Sequence, residues 1–177
     1  MVDFQDPSYL KDGNNRQKSA YHTLIDCGIF EKIASFNPIL TGTIPINIDI
    51  PESDLDIICY WENIEHFIAS LEKSFCKEQN FNLRKQIING QKTVIVNFWI
   101  DDFQIEIFGQ NIPTIAQNAY RHLLIEYQIL REKGESFRQK VLALKKEGYK
   151  TEPAFTKLLG LDGNPYISLL NYKSHDF

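Results

Sequence analysis

From residue 81 to 108, apolar and polar positions alternate in three runs, FNLRKQII, QKTVIVNFWI and FQIEIFG, separated by Asn89-Gly90 and Asp101-Asp102. A period of two marks half-buried strands, and Asn-Gly is the strongest short signal for a tight hairpin turn. The pattern predicts a three-stranded meander over residues 81–88, 91–100 and 103–108. Two-residue turns would set Ile100 opposite Phe103, Phe98 opposite Ile105 and Val96 opposite Ile107. Phe81, Leu83 and Val94 extend that apolar face, and the other face takes Arg84, Asn97, Trp99 and Glu106 among others.

Elsewhere the spacing is helical. Ile64, Phe67, Ile68, Leu71 and Phe75 form an apolar stripe over residues 62–77. Tyr21, Leu24, Ile25 and Phe30 mark a helical stretch within residues 13–36, broken at Gly28. Past residue 112 the chain reads as helices. Ile115, Ala119, Leu123, Tyr127 and Leu130 define one that ends at Gly134; Phe137, Val141, Ala143 and Leu144 define a second. A third runs from Thr151, with Pro153 in its first turn, to Gly160, and a short one follows Pro165. The expected architecture is α+β: a mixed or antiparallel sheet with helices on one face, and a helical C-terminal region. The expected organisation is an α/β core over residues 1–112 and helices over 113–177, packed as one compact unit.

One stretch does not fit a plain structural account. TGTIPINIDIPESDLDIICY, residues 41–60, places Asp54 and Asp56 at the mouth of a strand whose Leu55, Ile57 and Cys59 belong in the core. Alternation points both aspartates to the same face, and Glu106 joins them if strand 54–60 pairs with strand 103–108. Close carboxylates repel and each is protonated more easily unless a cation neutralises them. A hard divalent ion, Mg²⁺ or Mn²⁺, accepts oxygen ligands and retains positions for a substrate phosphate. Gly42 permits close approach to the backbone, and Thr43 and Ser53 offer hydroxyls to phosphate oxygens.

Gly42-Thr43, then Ser53-Asp54-Leu55-Asp56, then Ile105-Glu106-Ile107 resembles the signature of the polymerase-β-like nucleotidyltransferase superfamily over residues 37–108. Thr43 replaces the commoner Ser, and IPINIDIPE lacks the Arg-Gly often found between the two motifs. Across nearly the whole chain, GNNRQKSAY, GTIPINIDIPESDLDIIC, IEIFGQ with AYRHLLIE, and KTEPAFTKLLGLDGNPY resemble the bacterial domain-of-unknown-function family 4269. The resemblance implies a nucleotidyltransferase-like fold. It implies Asp54, Asp56 and Glu106 as metal-binding and catalytic residues, and Gly42, Thr43, Ser53 and Arg84 as nucleotide-binding ones. A nucleoside triphosphate would be the donor, with an unknown small-molecule or protein acceptor. The alternatives are a catalytically inactive nucleotide-binding scaffold and a protein-interaction module.

Other polar residues have simpler readings. Arg16, Gln17 and Lys18 read as a solvated helical face, and His122 with Glu126 as a surface i, i+4 pair. Lys145, Lys146 and Lys150 read as a mild basic face, Trp99 as packing, and His22, His66 and His175 receive no role. A net charge of -4 makes a long nucleic acid a poorer acceptor than a small molecule. Three scattered cysteines suggest neither a zinc site nor a disulfide framework. With no secretory leader and no 18-residue apolar run, the expected location is cytoplasmic, away from membranes. Oligomeric state is left open.

Overall fold

The computed structural model describes residues 2–173; His175 lies outside them. A five-stranded sheet has the order β1-β2-β5-β4-β3. The strands are β1 (Ile39–Thr41), β2 (Leu55–Tyr60), β3 (Gln79–Ile88), β4 (Gln91–Ile100) and β5 (Phe103–Gln110). The meander forms in the expected register, with Ile100 opposite Phe103, Phe98 opposite Ile105 and Val96 opposite Ile107. Its first turn places Asn89 at φ 50° and Gly90 at φ 77°, the left-handed pair that a type I′ turn requires. β2 then joins β5 in parallel, after a crossover through α3 (Ile64–Phe75) and the β3–β4 hairpin. β1, which was not foreseen as a separate strand, pairs antiparallel to β2 on its outer side.

Alternation gives each sheet face its own core. Leu55, Ile57, Cys59, Val96, Phe98, Ile105 and Ile107 pack under α1 (Asn15–Asp26) and α3, against Leu24, Phe67, Leu71 and Phe75. Gly28, at φ 68°, separates α1 from α2 (Ile29–Lys32). Of the residues that marked the helical spacing, Leu24 is buried and Ile25 is exposed; Ala20, Ile29 and Ile33 complete the buried side.

The C-terminal helices are α4 (Asn118–Lys146), α5 (Thr151–Leu159) and α6 (Pro165–Leu170). α4 is two helical pieces meeting at Gly134, whose φ of 70° and ψ of -167° break the run where the sequence suggested. Ile115 is exposed because the chain around it is a 3-10 turn and α4 starts only at Asn118; Ala119 and Ala143 are exposed on α4 itself. These helices cover the other sheet face at its β1–β2 end, where Ile39 and Ile58 pack against Tyr120, Leu123, Leu130, Phe137 and Phe155. Phe4, Ile46 and Ile48 complete that cluster. No described helix is long and apolar enough to cross a membrane.

Candidate active site

Between the second sheet face and the C-terminal helices lies a cavity of about 840 Å³, within the range of small-molecule sites. Along β2 the residues facing it run Asp56, then Ile58, so one strand supplies carboxylate at the mouth and apolar surface behind. In the parallel ladder Asp56 is the direct partner of Glu106. Neighbouring strands lie roughly 4.8 Å apart, so the two backbones present their carboxylates side by side. Asp54, just before β2, lines the same cavity with Gly42, Thr43 and Ser53.

The electrostatics of this cluster are strained. Burial pushes the Asp56 carboxyl up to about 7, with Asp54 and Glu106 adding repulsion and Lys145 partly offsetting it. Asp54 is also raised, by burial first and by Glu106 second. Gly42 is positioned by the same crowding. Its φ is +76°, and a Cβ there would lie 2.2 Å from Asp56 Oδ2. A side chain at residue 42 would thus be strained and would displace the carboxylate.

Thr43 and Ser53 are joined to each other, Thr43 Oγ1 donating to Ser53 Oγ at 3.2 Å, while Ser53 Oγ accepts from the Ile50 amide at 3.0 Å. Arg84 does not line the cavity. It donates to Asn97 Oδ1 and lies 3.4 Å from Glu106 Oε2, which also accepts from Asn97 Nδ2 at 3.1 Å. Arg84 therefore offsets the charge of Glu106 and holds it, from outside the cavity. This tether draws Glu106 Oε2 toward β3 and β4. Among the described residues no three acidic, His or Cys side chains are already close enough to form a metal cage. The donor set nonetheless suits a hard divalent cation: carboxylate oxygens on adjoining strands, one of them a buried acid that gains from a cation's charge.

Several residues read as surface features belong to this region. Arg16 is half-buried and Gln17 is buried. Arg16 forms an ion pair with Asp49 at 3.2 Å and donates to the Pro51 and Ser53 carbonyls at 3.0 and 2.8 Å. Gln17 is buried and donates to the Ile44 and Pro45 carbonyls, while Arg138 donates to those of Ile46 and Asn47. The loop over residues 42–54 is thus held from two helices. Its apolar Ile44, Ile46 and Ile48 are buried, which explains how IPINIDIPE holds its shape without a basic residue of its own.

His122 and Glu126 are also buried, correcting their reading as an exposed pair. His122 Nδ1 lies 3.6 Å from Glu152, and its Nε2 lies 2.9 Å from the Tyr166 carbonyl. Lys145 is turned inward too: it donates to Thr151 Oγ1 at 3.1 Å, lines the cavity, and has its pKa lowered by burial. The signal available in the sequence was position. His122, Leu123, Glu126 and Leu130 share one helical face, so the two polar residues stand within a core stripe. Trp99 lies half out in solvent and does not line the cavity.

The fold is that of the nucleotidyltransferases. A structure of Cid1 described for its RNA terminal uridylyl transferase activity superposes with a TM-score of 0.51 at 14% identity, covering 79% of this chain and 41% of that one. A Cid1 poly(U) polymerase structure with MgGTP bound gives 0.51 at 12% identity, over 78% and 46% of the two chains. The polymerase core of TRAMP, an RNA surveillance complex, gives 0.51 at 12%, over 92% and 50%. This chain spans half or less of the length of these structures. No curated protein matches it. Its residues 22–172 match the family "Domain of unknown function (DUF4269)", and the chain belongs to that family.

Proposed function

We propose that this protein is a divalent-metal-dependent nucleotidyltransferase, moving a nucleotidyl group from a nucleoside triphosphate to a small-molecule or protein acceptor. The observation that carries this reading is the meeting of Asp54, Asp56 and Glu106 at one cavity beside Gly42, Thr43 and Ser53. Asp54 and Asp56, with Glu106, would hold Mg²⁺ or Mn²⁺. The ion would supply charge neutralisation for the triphosphate and the leaving group. Gly42 leaves room for phosphate oxygens at the backbone, and the Thr43 and Ser53 hydroxyls lie beside them. Glu106 takes the proton of the acceptor hydroxyl as its oxygen attacks the α-phosphorus and pyrophosphate departs. Arg84 and Asn97 hold Glu106 in place for that role.

The test is a thermal-shift screen of nucleoside triphosphates with and without MgCl₂, followed by mass spectrometry of products. The double variant Asp54→Asn, Asp56→Asn is expected to stay folded, lose the magnesium-dependent shift and form no product. A wild-type protein indifferent to every nucleotide would overturn the proposal. The tether on Glu106 Oε2 favours a second reading, a non-catalytic nucleotide-binding protein. That reading predicts a magnesium-dependent shift without turnover.

A further inference from the structure

The cavity has a second wall, made by the helices. His122 and Glu126 of α4, Lys145 near its end and Glu152 of α5 all line it, opposite the strand carboxylates. Most of these groups have partners: His122 meets the Tyr166 carbonyl and Glu152, and Lys145 meets Thr151. Glu126 differs. It is only 4% exposed, it lines the cavity, and among the described residues it has neither hydrogen-bond nor ion-pair partner. Buried carboxyls without partners are costly, so their polar atoms are normally satisfied. The one charge attracting Glu126 is the Lys145 ammonium, which it shares with other carboxylates, and its remaining demand for a partner faces the cavity.

Charge narrows what that partner is. The described lining carries five acidic residues, Asp54, Asp56, Glu106, Glu126 and Glu152, against Lys145 and Lys150. A metal–triphosphate complex arriving at the strands brings its own anionic charge and leaves the helical wall acidic. The Lys145 ammonium is shared among Glu126, Glu152, Asp49 and Asp56, so it does not neutralise that wall by itself. Burial first, and Glu152 beside it, raise the Glu126 carboxyl well above the ordinary carboxylate range, so an arriving cation would stabilise its ionised form while an anionic acceptor would oppose it.

We propose that Glu126, with Glu152 beside it, receives the protonated amine of the acceptor. The acceptor class is then a small amino-polyol, such as an amino sugar. This rests on the nucleotidyltransferase reading of the same cavity. The ammonium donates to Glu126 and is not the nucleophile. A hydroxyl of the same molecule forms the new oxygen–phosphorus bond and gives its proton to Glu106, and pyrophosphate leaves with the electrons of the broken bond.

The experiment titrates the full chain with glucosamine and with glucose, which differ by one amine, at neutral pH in EDTA, followed by NMR. Wild type is expected to prefer glucosamine by about tenfold, the scale of one charge-assisted hydrogen bond. Glu126→Gln, which keeps the side chain's shape, should abolish the preference, and Glu152→Gln should reduce it. The Asp54→Asn, Asp56→Asn variant should retain it. Should Glu126→Gln fail to fold, Glu152→Gln carries the same test. Equal binding of the two sugars by wild type would overturn the inference. So would a preference that survives both Glu variants, or one that vanishes in the Asp variant. Magnesium-ATP binding, measured in parallel without EDTA, separates the two claims. Its loss with the amine preference intact sinks the nucleotidyl reading alone; its presence without the preference sinks the amine site alone.

Discussion

Replacing Asp56 by asparagine should make the metal-free protein more stable at neutral pH, although it removes a central group of the proposed site. The folded protein raises this carboxyl from the ordinary 3.8 to about 7, chiefly by burial. Below pH ~4 the group is protonated in both folded and unfolded chains and costs nothing. Between pH ~4 and ~7 the unfolded chain releases the proton while the folded one retains it, so stability falls. Above pH ~7 the loss is complete. At about 1.4 kcal/mol per pH unit, the gap from 3.8 to about 7 amounts to on the order of 4 kcal/mol. The offsetting Lys145 attraction is already contained in that shift, and water reaching the open cavity screens part of the effect, leaving a gain of about 2–4 kcal/mol. Urea denaturation of both proteins in EDTA at pH 4.5, 6 and 8 measures it. The difference should be small at pH 4.5 and largest at pH 8. Adding MgCl₂ at pH 8 should then stabilise wild type and leave the variant unchanged. A variant no more stable than wild type at pH 8 would refute the electrostatic argument.

Two further perturbations probe the loop before β2. Gly42→Ala forces an alanine to φ +76° and a Cβ against Asp56 Oδ2, and should cost about 1–3 kcal/mol while removing the magnesium–nucleotide thermal shift; retention of both would show that the close approach is dispensable. Arg16→Ala removes two donors to loop carbonyls and leaves the Asp49 carboxylate, already raised by burial, without its ion pair. It should lower stability by about 2–3 kcal/mol in urea denaturation, with Arg16→Lys restoring only part because lysine cannot donate in a fork. Full recovery by lysine would mean that charge alone holds the loop.

The legible part of the site was its strand half. Local alternation aimed Asp54 and Asp56 together, and two short turns fixed which residues of β3, β4 and β5 face each other. What stayed hidden was the helical half. Glu126, His122 and Lys145 each sit at a core-facing helical position, where a polar residue has two readings, exposed edge or buried site. A one-dimensional pattern cannot choose between them, because the choice depends on what packs opposite. Arg16 shows the same limit: its partners, Asp49 and the Pro51 and Ser53 carbonyls, lie 33 to 37 residues away.

The amino-acid sequence by itself determined the meander, its register, the breaks at Gly28 and Gly134, and the shared direction of the two aspartates. These follow from periodicity and from backbone preferences of neighbouring residues, both local properties of a chain. Only the tertiary structure decided that β2 lies parallel to β5 with Asp56 beside Glu106, and that the C-terminal helices close over that face. It also decided that Glu126 is buried at the cavity without a partner among the described residues. Those outcomes rest on burial and on charge between distant segments, and neither exists until the segments meet.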